Sequence, residues 1–307
     1  MFAVQFDRFG GPEVLSLGEH EEPHAGPGEL RVRVRAAGVS PVDLSIRAGS
    51  SPSAKTLTLP HIPGVDVAGV VDEVGEGVAG IAIGAEVFGA VDVARLGGAT
   101  AEFAILTFWA YKPESMPWDQ AGAAGTSIET ATRVLDLLSL GDGSTLLVDG
   151  ASGGVGSILV QLAIARGARV IGTASTANHD FLRGLGVIPT TYGPGLVERL
   201  RGLGPIDFAA HVSGTGSLPE LIELAGSPNA VVSIADFGAA QFGVRLSLGD
   251  LGGQRNGRHG LADAAELAAE GNLTIPLQRS FTYAEAAAAH RFAESGPRRG
   301  KVVLISD

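Results

Sequence analysis

The sequence contains no cysteine among its 307 residues. A chain without cysteine forms no disulfide bond, offers no thiol nucleophile and holds no iron–sulfur cluster or cysteine-ligated zinc. Its seven histidines are scattered along the chain. Because the usual ligands of transition metals are missing or dispersed, we predict no metal site.

Basic residues are also few, with 22 Lys and Arg against 33 Asp and Glu and a formal net charge of −11. Nucleic acids and anionic membrane surfaces bind basic patches, so neither is an expected partner. No apolar run approaches the ~20 residues of a membrane-spanning helix, and the N-terminus lacks the apolar core of a secretory signal. We therefore expect a cytoplasmic protein.

The composition is that of a globular protein, because hydrophobic residues make up 45% of the chain and charged residues 18%. The first ~110 residues are β-rich, and alternating apolar and basic residues at 29–36 predict a half-buried strand. Further strands are predicted at 65–74 and 101–106. The length of the chain is sufficient for two domains of ordinary size.

From residue 117 onward, strands alternate with helices, which indicates a doubly wound parallel sheet. The predicted strands are 146–149, 169–173, 206–211 and 231–235. The predicted helices are 157–166, 179–185, 196–203 and 218–225. A further helix is expected at 260–270. Thr282 and Glu285 have the spacing of a capping box that starts a helix over 282–293, and the chain ends in a strand at 301–305.

A glycine cluster follows the apolar run Thr145–Asp149, and an amphipathic segment follows the cluster. This order predicts a strand, a phosphate-binding turn and a helix, whose N-terminal N–H groups attract an anion. The first glycine of the usual GxGxxG pattern is replaced by Ala151. We nevertheless predict a dinucleotide site whose cofactor contacts are made by Ser152, Gly153, Gly154, Val155 and Gly156.

Short motifs dispersed along nearly the whole chain resemble those of one family. They lie at residues 9–14, 36–43, 62–71, 84–89, 150–156 and 300–304. In this order they resemble the medium-chain dehydrogenase/reductase superfamily, in its zinc-free, zeta-crystallin-like quinone oxidoreductase branch. The resemblance implies an α/β protein with a GroES-like β-barrel catalytic domain, residues 1–116 and 273–307. It also implies a Rossmann nucleotide-binding domain with a doubly wound parallel sheet, residues 117–272, and a homodimer.

The resemblance also bears on the reaction. Zinc-dependent members carry a cysteine and a His-Glu pair at positions where this chain has Ser40 and Val65-Asp66. Serine and valine do not replace thiolate and imidazole, so the Lewis acid that polarises an alcohol or carbonyl oxygen is lost. The expected reaction is hydride transfer from a reduced nicotinamide to an acceptor that is already electrophilic, either a quinone or an α,β-unsaturated carbonyl compound.

Residues past the second strand of the sheet domain favour NADPH over NADH. NAD-binding domains carry Asp or Glu about 20 residues beyond the glycines, where it binds the ribose 2′-OH, and the end of this strand contains no acid. Thr173 and Ser175 can instead donate hydrogen bonds to a 2′-phosphate, and Tyr192 matches a tyrosine that contacts the adenosine phosphate in relatives. Relatives also carry Lys or Arg directly after the strand, where this chain has none. Arg183 either replaces that cation or is a solvated helix charge.

Four further site residues follow from the resemblance. Ser40 stands where quinone reductases carry Asn, and either bonds the substrate carbonyl or satisfies its own loop. Asp43 is either catalytic or structures that loop. Thr130 matches a residue that lines the nicotinamide carboxamide in relatives, although a purely helical role is open. Lys301 matches a residue that often reaches the cofactor.

The segments at the ends of the predicted strands 206–211 and 231–235 add the last predicted cofactor contacts. Val212 and Ser213 follow one strand and Ile234 and Phe237 the next, at the carboxyl edge of the sheet, where ligands bind in such folds. Two alternatives to a quinone or enone reductase stay open. One is a stand-alone enoyl reductase of a natural-product pathway, and the other is a non-catalytic protein that binds NADPH as a sensor or structural element.

Overall fold

The computed structural model describes residues 1–92, 95–214, 216–296 and 299–306. They form two compact units. The first unit comprises Met1–Thr126, Leu261–Pro297 and Lys301–Asp307, and the second comprises Ser127–Gly260 and Arg298–Gly300. The domain boundaries expected from the family resemblance, at 116/117 and 272/273, stay a prediction.

Strands and helices are numbered in chain order. The strands are β1 Phe2–Gln5, β2 Ser16–Glu19, β3 Leu30–Val39, β4 Asp66–Val74, β5 Glu86–Ala90, β6 Phe103–Leu106, β7 Phe108–Tyr111, β8 Thr145–Asp149, β9 Arg169–Thr173, β10 Ile188–Thr190, β11 Phe208–His211, β12 Val231–Ser233, β13 Arg245–Leu246, β14 Leu277–Thr282 and β15 Lys301–Ile305. The helices are α1 Pro41–Arg47, α2 Trp118–Gly122, α3 Gly125–Leu137, α4 Gly154–Ala165, α5 His179–Gly184, α6 Leu196–Leu200, α7 Leu218–Ala225, α8 Gly260–Ala269 and α9 Ala286–Ser295.

The first unit is built on a mainly antiparallel sheet. Its strands follow the order β14-β15-β3-β4-β5-β7, and β6 pairs with one end of β3. Along β3, Leu30, Val32 and Val34 point into the core while the arginines between them face outward. The predicted alternation at 29–36 is therefore confirmed. β15 pairs with the other end of β3, which ties the C-terminal segment to the N-terminal one.

The second unit is a parallel sheet with the strand order β10-β9-β8-β11-β12-β13. This is the doubly wound order, in which the chain reverses direction across the sheet between β8 and β11. In such sheets the ligand crevice opens at the carboxyl ends of the two strands beside the reversal. No helix among the described residues is long and apolar enough to cross a membrane.

Several local predictions agree with the structure, and others differ in their bounds or missed an element. The strand–turn–helix of β8 and α4 forms as predicted, and Thr282 and Glu285 make the capping box, followed by one 3-10 turn and α9. Helix α1 was expected to be a loop. It begins at Pro41, which is preorganised for the first helical position, and its seven residues are too few to show a helical period in the sequence. Helix α6 ends at Leu200, three residues earlier than predicted.

Candidate functional site

The glycine turn of the second unit lies between β8 and α4, at the carboxyl edge of the sheet. Gly150 has a φ of +93°, a conformation that L side chains rarely adopt, and it turns the chain sharply out of the strand. A Cβ on Gly156 would lie only 2.2 Å from the carbonyl oxygen of Gly150. A side chain there would push α4 away from β8, so Gly156 allows the close helix–strand contact of a nucleotide-binding turn.

The replacement of the first glycine by Ala151 is accommodated by a second glycine. Gly172, on the neighbouring strand β9, has no side chain, and a Cβ there would lie 2.6 Å from the Cβ of Ala151. The methyl group of Ala151 therefore occupies the space that Gly172 leaves. The departure from the GxGxxG pattern does not change the course of the turn.

The start of α4 offers an anion site. The first N–H groups of a helix have no acceptor within the helix, and no side chain caps them here. A Cβ on Gly153 would meet only the carbonyl oxygen of Gly150, at 3.5 Å, so this position is open to a close approach. The predicted contacts Ser152, Gly153, Gly154, Val155 and Gly156 all lie here. These features fit the pyrophosphate of a dinucleotide.

One buried carboxylate holds the crevice of the second unit together. Asp149, the last residue of β8, is fully buried. Its Oδ1 accepts a hydrogen bond from Thr173 at 2.5 Å, and its Oδ2 accepts from Ser213 and Ser217, each at 2.6 Å. The carboxylate therefore connects the end of β9, the loop after β11 and the start of α7.

His211, at the end of β11, is fixed in one tautomer beside Asp149. The hydroxyl oxygen of Ser233 accepts hydrogen bonds from the N–H groups of Ala235 and Asp236, so its own proton goes to Nδ1 of His211, at 2.9 Å. Neutral His211 therefore carries its proton on Nε2, which lies 3.8 Å from Oδ2 of Asp149. Burial lowers the pKa of His211, with Asp149 opposing the shift.

The structure corrects the predicted role of Thr173. Its side chain is fully buried, and its hydroxyl donates to Asp149 and accepts from the N–H of Gly150. Its proton is therefore not available to a 2′-phosphate. Ser175 and Tyr192 are exposed. Arg183 is exposed and pairs with Asp180 at 2.5 Å.

The remaining predicted cofactor residues of this unit are spread over several elements. Val212 and Ser213 follow β11, and Ile234 follows β12, all half-buried at the carboxyl edge of the sheet. Phe237 is 73% exposed. Thr130 lies on α3, where its hydroxyl bonds to Glu129. Their contacts with a cofactor stay predictions.

The first unit contains a separate buried polar cluster, formed where three strand ends meet. β15 pairs with β3 so that Lys301 lies next to Ser40, and β4 brings in Asp66. The ammonium of Lys301 donates to the hydroxyl of Ser40 at 2.8 Å and to Oδ2 of Asp66 at 2.9 Å, and Ser40 donates to that same oxygen at 3.0 Å. Oδ1 of Asp66 accepts from the N–H of Thr126 at 2.6 Å. The predicted cofactor residue Lys301 is thus bonded to the predicted catalytic residue Ser40.

Asp43 lies beside this cluster and caps α1. Its Oδ2 accepts from the N–H of Ser40 at 2.7 Å, and its Oδ1 accepts from the N–H of Gly64 at 3.2 Å. Burial raises the pKa of Asp43 to about 7, and the Asp66 carboxylate adds to this, while the two N–H donors and Lys301 oppose it. The structure thus gives Asp43 a part in organising its loop, and a catalytic part stays a prediction.

The comparisons with known proteins agree with both units. Residues 26–114 match the alcohol dehydrogenase GroES-like domain, and residues 200–304 match the zinc-binding dehydrogenase family. The quinone oxidoreductase of Coxiella burnetii has the same fold, with a TM-score of 0.87 and 30% identity over 99% of both chains. The chain belongs to the medium-chain dehydrogenase/reductase superfamily. The fold predicted from the sequence, a GroES-like domain and a Rossmann domain, is confirmed.

Two curated members of the superfamily align over a shorter stretch. The quinone oxidoreductase of Sus scrofa is 39% identical over 181 residues, which are 57% of this chain and 53% of the pig protein. The NADPH-dependent alkenal/one oxidoreductase of Arabidopsis thaliana chloroplasts is 34% identical over 196 residues, 61% of this chain and 50% of the plant protein. The chain thus spans about half the length of the curated relatives it matches.

The polar cluster does not fit the zinc ion that one matching family model names. Zinc in proteins is held by thiolate, imidazole and carboxylate groups. Here one hydroxyl and one carboxylate face each other, and the ammonium of Lys301 already bonds to both. Among the residues that the structure describes, no three His, Cys, Asp or Glu side chains form a group that could hold a metal.

Two important side chains, Asp149 and Asp66, were not predicted as site residues. The sequence offers one signal for Asp149. It is a carboxylate at the end of a buried strand, directly after the apolar residues Leu146, Leu147 and Val148. Its partners lie 24 to 68 residues away in the chain, so no local pattern identifies them. Asp66 was noted only as the second residue of the pair Val65-Asp66, which stands where zinc-dependent members carry His-Glu.

We expect Asp149→Asn to lower the free energy of unfolding by about 2 kcal/mol or more. The variant loses a hydrogen bond to a buried charged group, and the NH2 group of its side chain is a donor placed against hydroxyl groups that also donate. Glu198→Gln is the control, since Glu198 forms an exposed ion pair with Arg201, whose loss costs roughly 0.2–1 kcal/mol. Urea unfolding of both variants provides the measurement. Equal losses in the two variants would contradict the central role of Asp149.

Proposed function

We propose that this chain is a zinc-independent, NADPH-dependent reductase that transfers hydride to a quinone or to the β-carbon of an α,β-unsaturated carbonyl compound. The observation that carries the proposal is the glycine turn at the start of α4. No side chain caps the first N–H groups of this helix, and the space beside Gly153 is open to a ligand. The printed names of the pig and Arabidopsis relatives support the two classes of acceptor. The Arabidopsis name also supports NADPH.

The second unit has the residues to hold the cofactor. The N–H groups of Gly154, Val155 and Gly156 bind the pyrophosphate, with the helix dipole adding to the attraction. Asp149 fixes the glycine turn against the loop after β11 through its hydroxyl partners. Thr130, Val212, Ile234 and Phe237 provide the further contacts expected from the superfamily. When bound, the reduced nicotinamide supplies the hydride.

The first unit has a group suited to the charge that develops on the substrate. Hydride addition to the β-carbon of an enone, or to a quinone, leaves a negative charge on the substrate oxygen. The hydroxyl of Ser40 donates to Oδ2 of Asp66 in the free protein. We propose that it turns to donate to the substrate oxygen when the charge forms, while the ammonium of Lys301, 2.8 Å away, holds the Ser40 oxygen in place. Water then protonates the anion. Lys301 acts here through Ser40 and is a positioning residue.

The proposal is tested by following the loss of NADPH absorbance at the wavelength where the reduced nicotinamide absorbs. The acceptors are a panel of quinones and enones, and a chelator is present. We expect turnover that survives the chelator, because no step uses a metal, and a lower KM for NADPH than for NADH. Turnover that the chelator abolishes would contradict the zinc-free mechanism.

The same panel separates the alternatives. Turnover with extended enoyl compounds alone would favour a stand-alone enoyl reductase of a natural-product pathway. Binding of NADPH without turnover of any acceptor would favour a sensor or structural protein. Absence of nucleotide binding would contradict the proposed function altogether.

We expect Ser40→Ala to lower kcat/KM for the acceptor roughly 100-fold, the usual size of the loss of one oxyanion donor, with the dissociation constant of NADPH unchanged. Ser45→Ala is the matched control, because its hydroxyl, also on α1, bonds only the carbonyl oxygen of Val42 at 2.9 Å. Lys301→Met is expected to cause a similar loss, and Lys301→Arg to recover part of it.

The double variant Ser40→Ala/Lys301→Met decides whether the two residues act together. Residues that act as one unit give non-additive losses, so we expect the double variant to lose little more than Ser40→Ala alone. Additive losses, or a Lys301→Met variant that is fully active while folded, would contradict the role given to Lys301. Thermal unfolding of each variant separates loss of activity from loss of fold.

The proposal includes a homodimer, which the family resemblance implies, and the cytoplasmic location that was expected from the sequence. Light scattering in solution tests the assembly. A mass near twice that of the 31.2 kDa chain supports the dimer, and a mass near 31.2 kDa contradicts it.

A further inference from the structure

The proposed preference for NADPH requires a cation near the ribose 2′-phosphate, and the segment after β9 provides none. Residues 174–179 contain neither lysine nor arginine. Arg183, one turn further on, is engaged with Asp180. Arg199 donates to backbone carbonyl groups of residues 191–194. A cation from another part of the chain would fill this role without breaking these contacts.

The C-terminal segment of the second unit brings Arg299 to the glycine turn. Gly300 forms a parallel bridge with Gly153, and its N–H donates to the carbonyl oxygen of Ser152 at 2.9 Å. The backbone at Arg299 is thus held next to the residues that approach the cofactor. Nothing in the local sequence of β9 or α5 predicts this contact, because more than a hundred residues separate the segments.

Arg299 lies on the side of the glycine turn where β9 ends. Its guanidinium carbon is 4.6 Å from the centre of the ring of Phe181 on α5, the helix that follows β9. Asn178, directly before α5, donates to the hydroxyl of Ser152 at 3.2 Å, which connects the end of this segment to the same turn. In doubly wound folds the ribose hydroxyls of the adenosine half lie at the end of the second strand, which is β9 here.

The stacked guanidinium has its hydrogen-bond donors available. Stacking on an aromatic ring uses the face of the guanidinium and leaves the N–H groups at its edge. Arg299 is exposed and pairs with no carboxylate among the residues that the structure describes. A fixed, planar fork of donors matches the oxygens of a phosphate, to which it can form two parallel hydrogen bonds.

We propose that Arg299 recognises the ribose 2′-phosphate of NADPH and is the specificity-determining residue for this cofactor. The inference rests on the proposed function, because it assigns a residue to a cofactor that the function requires. Phe181 orients the guanidinium, and the Gly300–Ser152 contact sets its distance from the glycine turn. Ser175, exposed at the end of β9, is placed to add a neutral donor.

The test uses two fragments that differ only in this phosphate, adenosine 2′,5′-bisphosphate and adenosine 5′-monophosphate, measured by titration calorimetry on the full chain. For Arg299→Gln we expect binding of the bisphosphate to weaken roughly tenfold to hundredfold, the size of a lost charge-assisted contact. Binding of the monophosphate should stay within about twofold. Arg299→Lys should give an intermediate loss, since it keeps the charge but not the planar fork.

Arg201→Gln is the matched control. Arg201 is an exposed arginine of the same unit that pairs with Glu198, so its replacement removes the same net charge without touching the glycine turn. We expect it to leave both fragments within about twofold of the wild type. Thermal unfolding of both variants checks that each is folded.

The outcomes separate this inference from the proposed function. If Arg299→Gln leaves the ratio of the two dissociation constants unchanged, the inference is overturned while nucleotide binding stands. The same holds if the wild type binds both fragments equally. If the wild type binds neither fragment nor NADPH, the proposed function itself fails.

Discussion

The buried carboxylate of Asp149 organises the second unit around its ligand crevice. It ends the strand that leads into the glycine turn, and it gathers hydroxyl groups from the neighbouring strand and from the segment after β11. A charged group without solvent is tolerated only when hydrogen bonds replace its hydration, and here three hydroxyl donors do so. The positions of the turn, of Thr173 and of the Ser213 loop are therefore coupled through one side chain.

The first unit contains a second buried polar cluster, in which a cation lies beside the carboxylate. There the hydroxyl of Ser40, the carboxylate of Asp66 and the ammonium of Lys301 lie within 3.0 Å of one another. The ammonium neutralises Asp66 and directs the hydroxyl of Ser40. In the proposed function this arrangement suits an acceptor that is electrophilic by itself, because Ser40 and Lys301 are proposed to stabilise a product anion rather than to activate an alcohol.

The sequence was sufficient to predict the features that depend on near neighbours in the chain. The strand–turn–helix around Gly150, the parallel sheet and the capping box at Thr282 follow from local patterns, and each is present. Contacts between distant segments were not predictable in this way. Lys301 meets Ser40 across 261 residues, and Thr173 is committed to Asp149 instead of facing a phosphate. Helix α1 was missed because seven residues carry too little periodicity.

The proposed function depends above all on a nicotinamide cofactor bound at the N-terminus of α4. Hydrogen–deuterium exchange of the full chain, with and without saturating NADPH, measures this directly. The N–H groups of residues 154–156 have no acceptor within the helix, so they exchange quickly in the free protein and gain protection when the pyrophosphate binds. We predict strong protection at residues 154–156. Saturating NADPH without any change in exchange at these residues would contradict the proposed function.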